Sequence, residues 1–348
     1  MREGGLLRSR RFVLLSIATV AVMALTACTP NPQIVPQTPR PTATPVGTPN
    51  PDVDWAIDQA LSALAASPRD DLSHVVIPAT RERDLLSRRQ QAIYDDIGRK
   101  VEAVQPGTYK LTSAEVEGEG KRPLNLAYAF HQDHLELASY ADLDYVTGWF
   151  GGKDKGKELY VLRYWRPSEF RQYTDDLKKV RADVIPFLAM AKRIVERMPQ
   201  DMSTYDKYRY LAYVESLITD YDDKDPSVTG DPAGVTNPLS ETVWGALGER
   251  RAVCGGYSIT YAFLCHLAGL WAETVVGRVS GYLTSNHEWN LVQLDSGTYY
   301  VDVTWADGNG TEIGGPEWMR YFMMDEATAS LDHKADHVTA TGSAAAVR

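Results

Sequence analysis

The sequence predicts an α+β fold: a helix bearing Cys254 packed on an antiparallel sheet bearing His287 and Asp302, preceded by a mixed helix-and-strand module. Three patterns predict it. The segment opening at Val253-Cys254-Gly255-Gly256-Tyr257-Ser258 places Tyr257, Tyr261, Leu264 and Ala268 on one helical face, and Gly269 closes it. His287 to Leu294 alternates as a strand, Asp295-Ser296-Gly297-Thr298 turns, and Tyr299 to Trp305 returns as a second strand. Upstream, helical and alternating patterns follow one another in turn. With 348 residues, 44% of them hydrophobic, the chain can bury one substantial core and a second, smaller one.

The first residues do not belong to that core. Arg2, Arg8, Arg10 and Arg11 precede an apolar run from Phe12 to Leu25, ending in Leu25-Thr26-Ala27-Cys28. The run is about fourteen residues, against the roughly 20 of a membrane-crossing helix, so residues 1–27 read as an export signal. Leu25 to Cys28 resembles the lipobox of bacterial lipoproteins. The resemblance implies cleavage before Cys28, lipidation of its thiol, and anchoring on the outer face of the cytoplasmic membrane. Acyl chains contribute ~0.8 kcal/mol per buried methylene, enough in combination to hold a protein at a bilayer.

Residues 28–52 read as a Pro/Thr-rich linker. Prolines at 30, 32, 36, 39, 41, 45, 49 and 51 favour extended backbone rising ~3.1 Å per residue, a reach of up to ~70 Å. The chain carries a formal charge of −10, and residues 1–27 hold four arginines and one glutamate, +3, leaving −13 for the mature part. That balance, without a basic stripe interleaved with aromatics, excludes nucleic acid as the expected partner.

Residues 53–200 form the expected mixed module. Helical patterns run from Asp52 to Ser67 and from Glu82 to Val104, followed by strands such as Tyr109 to Leu111 and Leu159 to Tyr164, the latter opened by the turn-rich stretch 151–156. A helix from Pro167 to Met198 is expected to kink or split at Pro186. Residues 201–340 form the expected second domain, with a helix from Thr204 to Asp222, a loop to Pro238 and a short helix near Ser240 to Leu247. Residues 341–348 read as a disordered tail.

Of the three cysteines, Cys254 and Cys265 would lie ~16 Å apart on one helix, too far for a disulfide, so both are expected as free thiols. At a helix start, unpaired amides and the macrodipole favour a thiolate and can stabilise an oxyanion. A turn centred on Ser296-Gly297 pairs Asp302 with Leu291, on the face of His287. That register leaves an offset of about four residues, which a bulge, a looser turn or strong twist would have to close. Thiol, imidazole and carboxylate make a complete set for nucleophilic attack on a carbonyl.

Cys-x-Gly-Tyr-Ser on a helix, His-x-Trp-Asn, and Tyr-Val-Asp-Val-Thr-Trp resemble the transglutaminase-like superfamily of papain-like folds, over roughly Tyr213 to Asp307. Tyr221-Asp222 and the tail from Tyr321-Phe322 to His333 extend the resemblance, and Asp133 to Tyr145 resembles a module preceding the core in some relatives. It implies Cys254 as nucleophile, His287 as general base and acid, Asp302 as orienting carboxylate, and Tyr257, Trp289 and Trp305 as packing around them. Glu288 and Ala306 depart from the commonest pattern, and no upstream glutamine stands at the spacing papain uses for its oxyanion hole. The implied chemistry acts on peptide or protein amide bonds, on substrates that include cell-wall material, through a thioester. Water as acceptor gives a protease or amidase, which exported relatives favour; a lysine amine gives crosslinking. The alternative is a non-catalytic adhesion or peptide-binding scaffold. No cofactor is expected. His131, Asp133 and His134, and His333, Asp336 and His337 at helical i, i+4 spacing, lack the companions of a zinc motif, so no metal is expected either.

Overall fold

The structure is a computed structural model that describes residues 51–66, 82–103, 105, 107–112, 126–139, 142–146, 157–163, 177–223, 238–279, 286–308 and 311–337. The signal, Cys28, nearly all of the linker, the turn at 151–156 and the tail at 341–348 lie outside the described residues.

The fold is α+β. Helix α1 (Pro51–Ala66) starts at a proline inside the stretch assigned to the linker, because proline fits a first helical turn, where its missing N–H costs nothing. The helix expected from Glu82 is broken into α2 (Glu82–Leu85) and α3 (Arg88–Glu102). Ser87 causes the break: its side chain accepts from Gln90 N while Gln90 reaches back to the Ser87 amide, a capping box. Strand β1 (Gly107–Thr112), α4 (Leu126–Asp133), β2 (Asp142–Val146) and β3 (Lys157–Arg163) follow, with β3 central in a three-stranded antiparallel sheet.

Helix α5 (Leu177–Glu196) holds Pro186 within one continuous element rather than splitting there. Helix α6 (Thr204–Ile218) is capped by Ser203, whose side chain accepts from Asp206 N at 3.0 Å. β4 (Asp220–Tyr221) pairs in parallel with β5 (Arg251–Ala252), and between them the expected short helix is a 3₁₀ turn at Pro238–Glu241 and a π turn at Trp244–Glu249. Helix α7 (Cys254–Leu267) packs on a four-stranded antiparallel sheet of order β8-β7-β6-β9, made of β6 (Ala272–Val279), β7 (Asn286–Leu294), β8 (Gly297–Val301) and β9 (His333–His337). Single turns α8 (Val303–Ala306), α9 (Pro316–Met319) and α10 (Glu326–Ala329) cover the β8 side.

A single cluster of buried apolar residues runs from Val53 to Ala329. Helices α1 and α5 pack on α6, which lies against α7. Buried tyrosines tie these layers at their polar tips: Tyr208 donates to Trp271 O at 2.6 Å, and Tyr210 to Ile194 O at 2.9 Å. Each such ring buries ~150–250 Å², while its hydroxyl avoids the cost of going unpaired.

Candidate active site

Helix α7 begins at Cys254, which is 4% exposed. Val253 before it is extended and makes no side-chain cap, and its own N–H donates to Ser240 O at 2.9 Å. Gly256 permits this close approach, since a Cβ there would overlap the Ser240 carbonyl. The first amides of α7 therefore point forward with no capping side chain from Val253, the arrangement that favours negative charge at the helix start.

The second cysteine of α7, Cys265, is a free thiol. Cys265 lies deep in the core, where burial pushes its thiol well above the ordinary range.

The hairpin solves the offset differently from any of the three expected devices. Its register pairs Leu291 with Tyr300 and Asn290 with Val301, so Asp302 would stand opposite Trp289, two residues from His287 rather than four. Strand β8 ends at Val301, and the expected strand residues Val303 to Trp305 form the turn α8 instead. Asp302 caps that turn, with Oδ1 accepting from Trp305 N at 3.0 Å. Its other oxygen, Oδ2, meets His287 Nε2 at 2.7 Å. A strand-to-helix change thus swings the carboxylate along the sheet to the imidazole, on the face that parity predicts.

His287 is 2% exposed, and its Nδ1 has no hydrogen-bond partner. Trp289 and Trp305 flank the ring at centroid distances of 5.9 and 5.3 Å. Gly277 on β6 leaves the space into which Trp289 reaches. Tyr257 is buried, its hydroxyl bridging Thr219 O at 3.0 Å and the Asp307 carboxylate at 2.8 Å. On the other face of β7, Asn290 donates to Ser258 O at 2.8 Å and Glu288 accepts from Ser258 Oγ at 2.7 Å, docking α7 on the strand. A Cβ at Gly255 would come within 3.4 Å of the Glu288 carboxylate and would clash with that of Glu241. The residues that follow Cys254 and His287 in the chain therefore adjoin across the junction of α7 and β7. Burial pushes the Glu288 carboxyl up to about 7, against the hydrogen bonds from Ser258 and Thr274.

One residue of the cluster was not singled out for this role by the sequence. His333, 6% exposed, brings Nε2 to Asp302 Oδ2 at 3.0 Å and Nδ1 to Asp332 Oδ1 at 2.6 Å. The expected helical spacing of His333 and His337 is absent, because these residues form β9 paired with β6. No local pattern could have assigned the contact, which arises from long-range pairing beside β7. Burial alone would raise the Asp302 carboxyl, but the charge and hydrogen bond of His287, joined by His333, hold it well below the ordinary range.

His287, Asp302 and His333 offer two imidazoles and a carboxylate within 4.8 Å, a set that suits a divalent cation by donor type. The Nε2-to-Oδ2 distances of 2.7 and 3.0 Å are those of direct hydrogen bonds, and we read them so. Two further histidines lie in local contacts: the His134 ring is tilted against Phe130 at a centroid distance of 4.8 Å, and His266 Nε2 donates to Ala272 O at 2.7 Å.

No family model and no curated protein matches this chain. Among solved structures it is similar to one described as the crystal structure of a TGase, at 18% identity and a TM-score of 0.29, over 48% of this chain and 45% of that one. The chain thus matches less than half of that protein's length, and the reading of the site rests on the site's own residues.

Proposed function

We propose that the chain is an extracytoplasmic cysteine enzyme with a transglutaminase-like core, cleaving amide bonds of peptides or proteins. The observation that carries this reading is the buried His287 ring, with Nε2 held by Asp302 and Nδ1 unpartnered among the described residues, on the strand whose opposite face docks the Cys254 helix. A carboxylate on Nε2 fixes the tautomer that leaves Nδ1 as a base. Cys254 gives its proton to His287, and the thiolate attacks the carbonyl carbon. The imidazolium then protonates the departing amine as the C–N bond breaks, leaving a thioester. Water, deprotonated by His287, releases the acid and restores the thiol. A lysine amine taking the place of water would crosslink instead. The amides at the start of α7 are the donors available to the oxyanion.

A second reading is favoured by the burial of Cys254, 4% exposed. It makes the domain a non-catalytic peptide-binding or adhesion scaffold. Alkylation separates the two. In the enzyme reading Cys254 reacts with iodoacetamide far faster than Cys265, with a pH profile that His287→Ala removes. Equal rates for both thiols, or a profile indifferent to His287, would leave the scaffold reading. Substrate screening against cell-wall fractions and peptide libraries then distinguishes hydrolysis from crosslinking. We further propose that Cys28 carries a lipid holding the domain outside the membrane; labelling with a palmitate analogue should disappear in Cys28→Ala, and persistent labelling would refute the anchor.

A further inference from the structure

We infer that His333 is a positioning residue, an imidazolium at neutral pH, clamped between Asp302 and Asp332, that fixes the Asp302 carboxylate against His287 and sets a like charge beside that ring. The inference deepens the enzyme reading above and rests on it. Its basis is an accounting of protons. Asp302 accepts from the Trp305 amide on Oδ1 and faces both imidazoles with Oδ2. Asp332 is paired with Arg320 at 3.0 Å as well as with His333. An ionised carboxylate only accepts, so a ring nitrogen that faces one must donate. Both nitrogens of His333 face one, and the ring must therefore carry both protons.

Every neighbour agrees with that charge. The ionisable groups around the ring are Asp302 at the cap of α8, His287 on β7, Asp332 with its partner Arg320, and Tyr321 at a centroid distance of 6.1 Å. Trp289 and Trp305 meet the ring edge to face at centroid distances of 4.9 and 4.8 Å. Burial alone would lower the His333 pKa, but hydrogen bonds to Asp302 and Asp332 raise it to about 9.

The consequence falls on His287. The His333 cation stands 5.9 Å from the His287 ring between centroids, a like charge beside any imidazolium formed there. Because Oδ2 is shared, the carboxylate is also held in one rotamer rather than turning toward the α8 amides with both oxygens.

The test uses the full chain, reduced and labelled with ¹⁵N in its seven histidines. At pH 7 one buried histidine should show both ring nitrogens protonated, and His333→Gln should delete that signal. In the same variant the His287-dependent upper limb of the Cys254 alkylation profile should move up by about one pH unit, since a like charge beside the imidazolium is gone. Asp332→Asn, which opens no buried cavity, should shift the limb the same way by less, and serves where His333→Gln does not fold. A His333 ring carrying one proton at pH 7 would overturn the inference, as would a limb that stays in place in whichever of the variants folds. Absence of any His287-dependent limb in the wild type would instead overturn the enzyme reading beneath it.

Discussion

Two carboxylates in this chain each accept three hydrogen bonds, and one of them takes two of its donors from imidazoles. Asp133, at the end of α4, accepts from Glu82 N at 2.8 Å, Arg83 N at 3.0 Å and the Tyr94 hydroxyl at 2.8 Å. It ties the start of α2 to the first module with donors that keep their protons at any physiological pH. Asp302 accepts from one backbone amide and two imidazoles. The number of bonds is the same, but two of the donors of Asp302 are imidazoles, side chains that can take up or release a proton. A satisfied buried carboxylate marks a fastening; one satisfied by titratable donors marks a candidate site.

The comparison breaks most directly at Asp302. Asp302→Asn keeps the shape but lets an amide N–H face the imidazoles, disturbing the tautomer of His287. Turnover on whatever substrate a screen identifies should fall by ~10³–10⁴, judged from the loss when an orienting carboxylate becomes an amide in a comparable triad. A loss under tenfold would place Asp302 with Asp133 as a fastening. Asp133→Ala should do the converse. Charge-assisted bonds contribute ~1.5–3 kcal/mol each, so urea unfolding should report a destabilisation of about 3 kcal/mol or more. The alkylation profile of Cys254 should be untouched; a shifted profile would mean that the first module reaches the site.

Stability should also carry the mark of His333. Its folded pKa of about 9 lies above its ordinary value of 6.5. The stabilisation is therefore complete below the unfolded value and is lost as pH rises toward 9. His333→Gln should flatten the decline in stability across pH 7–9; an unchanged slope in urea titrations would assign that decline to other groups.

These contrasts also show what could be read in advance. The helix start at Cys254 and the alternation of β7 are local, set by Gly255, Gly256 and the spacing of Tyr257 and Tyr261, and the sequence displays them. Strand parity put Asp302 on the face of His287. The switch from β8 to α8 was hidden because Val301-Asp302-Val303-Thr304-Trp305 has strong strand propensity, which the Asp302 cap and the pairing of its N–H with Tyr321 O override. Ser87 and Gln90 carried a legible capping box that a longer helical pattern masked. His333 was the least legible, since its contact exists only when β9 lies beside β6.

A third carboxylate completes the series with no donors at all. Glu215 on α6 is fully buried, and neither oxygen has a hydrogen-bond partner. Burial first, and then repulsion from Asp307, raises its carboxyl well above the ordinary value, so the folded state keeps the proton. Below the unfolded pKa of ~4.3, both states are protonated and the group is neutral in its effect. Above it the unfolded chain releases a proton that the folded chain retains, and stability falls by up to ~1.4 kcal/mol per pH unit until the folded group ionises. Glu215→Gln removes that slope. A buried amide adds its own cost, but that cost does not vary with pH, so only the difference between pH values matters. Between pH 5 and pH 7 the variant should gain on the wild type in urea unfolding, by up to about 3 kcal/mol over the two pH units. If the two curves run parallel, Glu215 has found a donor in solution and belongs with Asp133.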